Sequence, residues 1–421
     1  MRRVVLAPLL AAFAVAVAAL PTSALGASRA ACSAPRPGTV TCLSRVVIPS
    51  RAHPAFAPVP LALPGGYGPL QFHGAYSLPN DTPLIAGTKK TRKKQTIAIV
   101  DAYNSPTVFA DLTQFDKTFG LPVFPRCTAK ITASCFQAMN QRGGPTLPAS
   151  GVPTGWDIEI SLDVQVAHEI CQNCKIMLVE ATSNGFLNLG TAENTAIAKG
   201  ATVVSNSYGS YGSGSSAAGT SASAYDHPKH AIVVSAGDSG FGPAYPADLN
   251  TVVAVGGTNL QLGAGNTYGS ESTWNNSATS ATGSGCDDAS PARAWQTAVS
   301  TWAAIGCGSL RGMNDVSADA DPSTGAAVYD SASARGWIQV GGTSLAAPLI
   351  AGVYGLAANS STVSYPASLP YAHPTSLHDV TSGNNLPGAS GFPCAATLQC
   401  TAGLGYDLPT GLGTPKGVAG F

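Results

Sequence analysis

The sequence predicts an α/β fold in which a mostly parallel central sheet carries helices on both faces. Short apolar runs typical of buried strands occur at residues 96–100, 175–179, 201–205, 231–235 and 252–255. Segments with helical character lie between and after them, at residues 105–119, 157–169, 188–199, 222–227 and 344–357. Strands that alternate with helices pair in parallel, so functional side chains are expected at the carboxyl ends of the strands.

The start of the chain has the pattern of a secretory signal peptide. Two arginines precede an apolar run that ends in small residues, so we expect residues 1–26 to be removed on export. Residues 27–66 are rich in proline and small residues, and we interpret them as an extended, pro-like segment. Residues 67–421 then form one large domain. No later apolar run is long enough to cross a bilayer, which predicts a secreted, extracellular protein with no membrane partner.

The charge composition argues against polyanionic partners. Charged residues make up 10% of the chain, against roughly a quarter in ordinary proteins, and 22 basic residues balance 22 acidic ones. No nucleic-acid partner is implied. The basic run at residues 89–94 is interpreted as a solvated surface loop. Few carboxylates can lose a favourable interaction on protonation, which suits a protein that works in acid.

Ten cysteines in an exported chain predict disulfide bonds rather than metal thiolates. The simplest hypothesis pairs sequence neighbours, each bridge closing a small loop: Cys32 with Cys42, Cys127 with Cys135, Cys171 with Cys174, Cys286 with Cys307, and Cys394 with Cys400. The third pair has the spacing of a redox dithiol, although the secreted context favours a structural bridge.

Residues 341–348, which read GGTSLAAP, place Ser344 at the start of an apolar helix. The glycines allow a sharp turn, and unpaired N–H groups at a helix N-terminus stabilise developing negative charge. Ser344 is therefore a candidate nucleophile. The alternative is a serine that only caps a buried helix. A nucleophile would need a base and an orienting group elsewhere in the chain.

Glu159 and Asp163 supply two carboxyls on one face of the helix predicted at residues 157–169. Like charges one helical turn apart repel, and a pair without a nearby cation tends to share a proton. Such a pair could act as base and orienter in acid. The alternative is an exposed acidic face, but the surrounding Trp, Ile, Leu and Val residues suggest burial.

Asp238 directly follows the apolar run at residues 231–235, within the sequence SAGDSG. Small neighbours leave it in a tight turn near the carboxyl edge of the sheet. An aspartate donates a hydrogen bond to an oxyanion only when protonated, so this residue would suit an enzyme that works at low pH.

The three motifs together resemble the sedolisin family of serine-carboxyl peptidases, in both order and spacing. The resemblance implies a subtilisin-like three-layer fold and a peptidase acting on proteins or peptides in acid. It also implies roles: Ser344 as nucleophile, Glu159 as base, Asp163 as orienter and Asp238 in the oxyanion hole. We expect a monomer, with endopeptidase or tripeptidyl-peptidase activity. The family has a long folded pro-domain where this chain has only residues 27–66.

The same resemblance implies one bound Ca²⁺. Two segments near the C-terminus match the family's ligand loops, with side chains of Asp379 and Asp407 and backbone carbonyls of Val380, Gly403 and Gly405. Carboxylate and carbonyl oxygens are the ligands that this hard cation prefers. Taken alone, the second segment could be an ordinary turn. Asp315, Asp319 and Asp321 might suggest a second cation site, but we interpret them as turn and capping residues.

Two other functions remain as alternatives. A histidine-based peptidase of the subtilisin type would use Asp101, His168 and Ser344, which occur in a suitable order. However, His168 lies on the same predicted helix as Glu159, nine residues further on, and points elsewhere. The second alternative is a non-catalytic pseudopeptidase that binds chains in an inactive cleft.

Overall fold

The structure is a computed structural model that describes residues 27–48, 64–79, 95–211, 221–389 and 391–421. The predicted signal peptide and the basic run at residues 89–94 lie outside the described residues.

The elements are labelled in chain order. The strands are β1 Ser28–Ala30, β2 Thr41–Cys42, β3 Arg45–Val47, β4 Thr96–Ala102, β5 Phe136–Asn140, β6 Lys175–Ala181, β7 Val203–Asn206, β8 Tyr208–Tyr211, β9 Ala231–Ser235, β10 Ser239–Phe241, β11 Ala244–Tyr245, β12 Val253–Leu262, β13 Tyr268–Thr273, β14 Asn275–Ser277, β15 Ser280–Pro291, β16 Leu310–Met313, β17 Val316–Asp319, β18 Ala326–Asp330, β19 Gly336–Gly341, β20 Leu377–His378 and β21 Thr414–Pro415. The α-helices are α1 Pro69–Ala75, α2 Val108–Phe119, α3 Trp156–Ile170, α4 Phe186–Ala198, α5 Ala294–Thr297, α6 Trp302–Ile305, α7 Thr343–Ala357, α8 Ser368–Ala372 and α9 Thr397–Cys400.

The central sheet has the strand order β13-β12-β9-β7-β4-β6-β5, and β17 also pairs with β12. The pairs from β5 to β12 are parallel, and so is the pair of β12 with β17, whereas β13 runs antiparallel. All five strands expected from the sequence belong to this sheet, which confirms the predicted fold class.

Alternate residues of each central strand face opposite layers of helices. In β4, Ile97 and Ile99 belong to the core that contains α2, α3 and α7, whereas Ala98 and Val100 pack in the layer of α4. Strands buried on both faces read as continuous apolar runs, which is why the sequence identified them. Three layers result, with α3 and α7 packed against each other over the sheet.

Three predictions need correction. The helix expected at residues 222–227 is a short 3₁₀ helix at Ala222–Tyr225. Asp315 was interpreted as a turn and capping residue, but its carboxylate forms a buried ion pair with both terminal nitrogens of Arg311 at 2.7 and 2.6 Å. Asp319, interpreted in the same way, is the buried last residue of β17.

The described part of the N-terminal segment forms short strands that pair with the domain. The antiparallel sheet β1-β3-β19-β18 includes two of them, and β2 pairs with β8 in another sheet. Strands of two or three residues have no periodicity that a sequence pattern could reveal.

All five disulfides expected from sequence-local pairing are present. The pair Cys171 and Cys174 is thus a bridge at the C-terminal end of α3. Within the described residues, no helix combines the length and apolar character needed to cross a membrane.

Candidate active site

Ser344 is the second residue of α7 and is fully buried. The preceding Gly342 has a φ of 98°, which is strained for any residue with a Cβ, so the turn into the helix requires glycine here. The Ser344 hydroxyl donates to the carbonyl oxygen of Ser207 at 3.2 Å and accepts from the N–H of Leu43 at 3.1 Å. The candidate nucleophile therefore lies at a helix N-terminus, as the sequence predicted.

Glu159 and Asp163 are both fully buried on α3, so the alternative of an exposed acidic face is excluded. Burial raises the pKa of each carboxyl well above its usual value, and the Asp101 carboxyl raises both further. The hydroxyls of Ser344 and Ser44 lie beside Glu159 and partly lower its pKa. Burial also raises the pKa of Asp101 to about 8. These three carboxyls therefore hold protons well above the pH at which free carboxyls ionise.

Asp238 lies in the turn after β9, across from the start of α7. Its Oδ1 accepts from the N–H and the hydroxyl of Thr343, both at 2.9 Å. The hydroxyl of Tyr211 accepts from the N–H of Asp238 and from that of Ser239, which fixes the turn. Burial raises the pKa of Asp238 to about 7, although the charge of Arg45 and the Thr343 hydrogen bonds lower it in part. Oδ2 has no hydrogen-bond partner among the described residues.

Two further buried carboxyls at this site, those of Asp101 and Glu180, were not assigned to it from the sequence. Each is the last residue but one of its strand, in β4 and β6, and the two are register partners. Their position at the carboxyl edge of a parallel sheet was a usable signal, but Asp101 was considered only together with His168. Burial raises the pKa of Glu180 to about 9, and the Asp101 charge contributes.

His168 lies beside Asp116 and Phe124 and not beside Ser344. Its Nε2 lies 3.1 Å from Oδ1 of Asp116, and its ring packs on Phe124 with centroids 4.1 Å apart. The combination of Asp101, His168 and Ser344 is therefore not assembled as a triad, because α3 directs Glu159 toward the serine and His168 toward α2.

The two C-terminal segments expected to bind calcium lie next to each other. The N–H of Gly405 donates to Oδ2 of Asp379 at 2.8 Å, and the N–H of Gly403 donates to Oδ2 of Asp407 at 2.9 Å. The hydroxyl of Thr410 bridges Oδ1 of Asp407 and the carbonyl of Val380. No cluster of three or more His, Cys, Asp or Glu residues suited to a metal occurs in the described ranges. Any cation here would depend on backbone carbonyls.

A serine at the start of a buried helix, above the carboxyl edge of a mostly parallel sheet, is the arrangement of subtilisin-like α/β proteins. A model of the subtilase family matches residues 151–371, slightly more than half of the chain. Sedolisin of Pseudomonas sp. (strain 101) is 29% identical over 371 residues, which cover 80% of this chain and 59% of sedolisin. Kumamolisin of Bacillus sp. (strain MN-32) is 32% identical over 303 residues, which cover 65% of this chain and 52% of kumamolisin.

A solved structure is also similar. Pseudomonas sedolisin, described as a serine-carboxyl proteinase complexed with two molecules of pseudo-iodotyrostatin, superposes with a TM-score of 0.66 at 26% identity. The match covers 84% of this chain and 96% of that one. The chain belongs to the subtilase family and, within these subtilisin-like proteins, to the sedolisin family. It spans between half and three fifths of the length of the two relatives named above.

Proposed function

We propose that the protein is a secreted serine-carboxyl peptidase that hydrolyses peptide bonds in acid through an acyl-enzyme on Ser344. The observation that carries the proposal is the position of the Ser344 hydroxyl beside the buried Glu159 carboxyl, with Asp238 across the turn at the start of α7. Its membership of the sedolisin family supports the same chemistry.

Ser344 would attack the carbonyl carbon of the substrate while Glu159 takes the hydroxyl proton. This step requires the state in which Glu159 and Asp163 together hold one proton, so that Glu159 can accept a second. A serine hydroxyl is a weak nucleophile, so a base within hydrogen-bond reach is required. Glu159 would then give that proton to the leaving amine and repeat the cycle with a water molecule. Asp163 and Asp101 would act as positioning residues, because their buried carboxyls set the protonation state of Glu159.

Asp238 and the N–H of Ser344 would hold the developing oxyanion. A donor that is already in place needs no reorganisation when charge develops, and the helix N-terminus adds favourable electrostatics. Asp238 donates only while protonated, and burial raises its pKa to about 7. Protonated Asp238 is thus available throughout the acid range and is lost as the pH rises past neutrality.

The proposed substrates are proteins and peptides. A chain extended along β8, in the place that β2 occupies in this structure, could pair with β8 and bring a carbonyl to Ser344. Endopeptidase and tripeptidyl-peptidase activity both fit this arrangement. An N-acetylated denatured protein separates the two, because only an endopeptidase cuts a chain whose amino terminus is blocked.

The deciding experiment is a pH–activity profile on a denatured protein for the wild type and for Ser344→Ala, Glu159→Gln and His168→Ala. We expect wild-type activity in acid, strong loss in the first two variants, and retention in the third if it folds. Activity that persists at pH about 8 and depends on His168 would overturn the proposal. A folded wild type that binds peptides without cutting them at any pH would also overturn it, in favour of a non-catalytic module.

We also propose one calcium site formed by Asp379, Val380, Gly403, Gly405 and Asp407. The donor set fits the ion, since two carboxylates and three carbonyls are all hard oxygen ligands. The hydrogen bond from Gly405 to Asp379 already joins the two segments, and the one from Gly403 to Asp407 closes the second segment on itself. A bound ion would contribute stability to this part of the domain rather than chemistry to Ser344.

A further inference from the structure

The side chain of Thr343, the first residue of α7, contacts two consecutive residues of the turn after β9. Its hydroxyl accepts a hydrogen bond from the N–H of Gly237 at 3.0 Å and donates one to Oδ1 of Asp238 at 2.9 Å. The backbone N–H of Thr343 donates to the same Oδ1, also at 2.9 Å. Thr343 and Asp238 are both buried. These hydrogen bonds are therefore shielded from solvent, and bulk water does not replace one that is lost.

The contacts of Thr343 determine which oxygen of Asp238 carries the acid proton. A threonine hydroxyl has one proton and two lone pairs. Its oxygen accepts from Gly237, and its proton is directed at Oδ1 of Asp238. Oδ1 thus receives two donors, the Thr343 hydroxyl and the Thr343 N–H. Because a carbonyl oxygen accepts hydrogen bonds better than the hydroxyl oxygen of a carboxylic acid does, the proton belongs on Oδ2.

Oδ2 of Asp238 faces the place where an oxyanion would develop. It has no hydrogen-bond partner among the residues that the structure describes. A Cβ built on Gly342 would lie 2.7 Å from Oδ2 and would overlap the carbonyl oxygen of Leu43, which accepts from the N–H of Ser344. Oδ2 and the acceptor of the Ser344 N–H therefore adjoin the same small space. A protonated Oδ2 donates into this space, whereas a bare Oδ2 presents lone pairs to it.

We propose that Thr343 is a positioning residue whose hydroxyl keeps Oδ1 of Asp238 as the acceptor oxygen and so directs the acid proton on Oδ2 toward the oxyanion. This inference rests on the proposed peptidase function and assigns no reacting atom to Thr343. Without the hydroxyl, the proton is no longer held to one oxygen, and only one of the two arrangements donates to the oxyanion. Thr343 thus contributes to the rate through Asp238 and not through a contact with the substrate.

The same hydroxyl also favours the ionised form of Asp238, because a donor bonds a carboxylate more strongly than a neutral acid. Burial raises the pKa of Asp238 to about 7, and the charge of Arg45 and the N–H and hydroxyl of Thr343 lower it in part. Arg45 on β3, Glu159 on α3 and Tyr211 on β8 all face this carboxyl. Removing only the Thr343 hydroxyl leaves these neighbours in place and should raise the pKa of Asp238.

These two effects separate a positioning role of Thr343 from a purely structural one. Loss of proton direction lowers kcat/KM in acid. A raised pKa keeps Asp238 protonated to a higher pH, so the alkaline limb of the profile moves away from acid. A turn that is merely loosened would instead admit water to Asp238. Its pKa would then fall toward that of a free carboxyl, and the alkaline limb would move toward acid.

The test measures pH profiles of kcat/KM for the full chain with a denatured protein as substrate. Thr343→Val replaces the hydroxyl by a methyl group of similar size. It should lower kcat/KM at pH about 4 by on the order of tenfold or more and move the alkaline limb to higher pH. Thr343→Ser keeps the hydroxyl and should restore both the rate and the limb. Thr258→Val is the matched control, because this buried hydroxyl donates to the carboxyl of Glu271 at 2.7 Å, and it should leave the shape of the profile unchanged.

A second measurement places the same substitution in the Asp238→Asn background. The amide loses the same hydrogen bond, so Thr343→Val should still slow the reaction there. The amide does not titrate, so the substitution should no longer move the alkaline limb. A peptide aldehyde, whose adduct with a nucleophilic serine resembles the tetrahedral intermediate, should bind Thr343→Val more weakly by about the factor lost in kcat/KM.

Three results would overturn the inference and leave the proposed function standing. They are a wild-type rate and limb in folded Thr343→Val, a limb that moves toward acid, and a Thr343→Ser variant as slow as Thr343→Val. If Thr343→Val does not fold, Thr343→Ala removes the same hydroxyl and carries the same expectations. A folded wild type that hydrolyses no protein at any pH would overturn the proposed function and the inference with it.

Discussion

Asp101 and Glu180 are register partners at the carboxyl ends of β4 and β6, and both side chains are fully buried. Burial raises their pKa values to about 8 and about 9, and the charge of Asp101 adds to the rise at Glu180. Two adjacent buried carboxyls keep their protons, because ionising both would place two negative charges side by side and away from water. The edge of the sheet beside the candidate active site therefore carries two carboxyls that begin to ionise only near neutral pH and above.

The first prediction is that the free energy of unfolding falls between pH about 4 and pH about 8. In the unfolded chain, Asp101 and Glu180 would ionise near pH 4, whereas in the folded protein they keep their protons to about pH 8 or 9. The folded state thus binds more protons across this interval, and stability decreases as the pH rises. Thermal unfolding at a series of pH values measures this slope.

Glu180→Gln should flatten the slope, because the amide keeps the shape of the side chain and cannot ionise. The gain at pH about 8 should be on the order of 1 to 3 kcal/mol, with little change at pH about 4. Asp288→Asn, at an exposed carboxyl on β15, is the control and should leave the slope as it is. Equal slopes in all three proteins would contradict the prediction.

The second prediction concerns the nucleophile. Ser344→Ala should reduce peptide hydrolysis by roughly 10⁴-fold or more while the melting temperature changes little, because one atom is lost and Leu43 keeps its hydrogen bond to Ser207. Initial rates on a denatured protein at pH about 4 measure the effect. Ser361→Ala, an exposed serine beyond the end of α7, should match the wild type. Substantial hydrolysis by Ser344→Ala would refute the assignment.

The sequence alone predicted those strands and helices whose local pattern agrees with their place in the tertiary structure. β4, β6 and β9 are buried on both faces and read as apolar runs, and the GGTSLAAP stretch marks the start of α7. β17 was missed because acidic residues at positions 315 and 319 suggested turns. Asp315 is nevertheless buried, because its carboxylate is paired with Arg311. No local signal could indicate such a partner.

Two relationships at the candidate site were beyond local reasoning. Leu43 and Ser344 are 301 residues apart and meet through a strand of two residues and the loop after it. Asp101 was visible at the end of a strand, but its proximity to Glu159 depends on how α3 crosses the sheet. Such contacts are set by packing and not by the period of any one segment.

The third prediction tests calcium. A chelator should lower the melting temperature by several degrees, since an ion bound only by the folded state contributes roughly 2.7 kcal/mol at a free concentration of about 100 times its Kd. Asp407→Asn should melt lower and respond less to added calcium, whereas Asp226→Asn should respond as the wild type does. Elemental analysis that finds no calcium, together with unchanged melting in chelator, would remove the site.

The fourth prediction separates a positioning role of Asp101 from a purely structural one. The Asp101 carboxyl raises the pKa values of Glu159 and Asp163, so Asp101→Asn should lower both. Proton transfer that needs a proton on this pair would then fail at a lower pH, and the alkaline limb of kcat/KM should move toward acid. A loss of rate that is uniform across pH would indicate a structural role only.

The last prediction concerns Asp238, whose protonated form is the proposed oxyanion donor. Burial raises its pKa to about 7, so the donor is present below this pH and is lost as the pH rises through it. Asp238→Asn would put an amide, which donates at every pH, in place of the titrating acid. The variant will be slower in acid if the amide fits the oxyanion less well than the acid does. However, the fraction of its activity that survives between pH about 5 and about 7 should exceed that of the wild type. Glu159 still titrates in both proteins, which limits the gain.

Normalised pH profiles of kcat/KM measure the effect, and Asp238→Ala, which has no donor, should be slow throughout. If the profile of Asp238→Asn falls as steeply as that of the wild type, protonation of Asp238 does not control the alkaline limb.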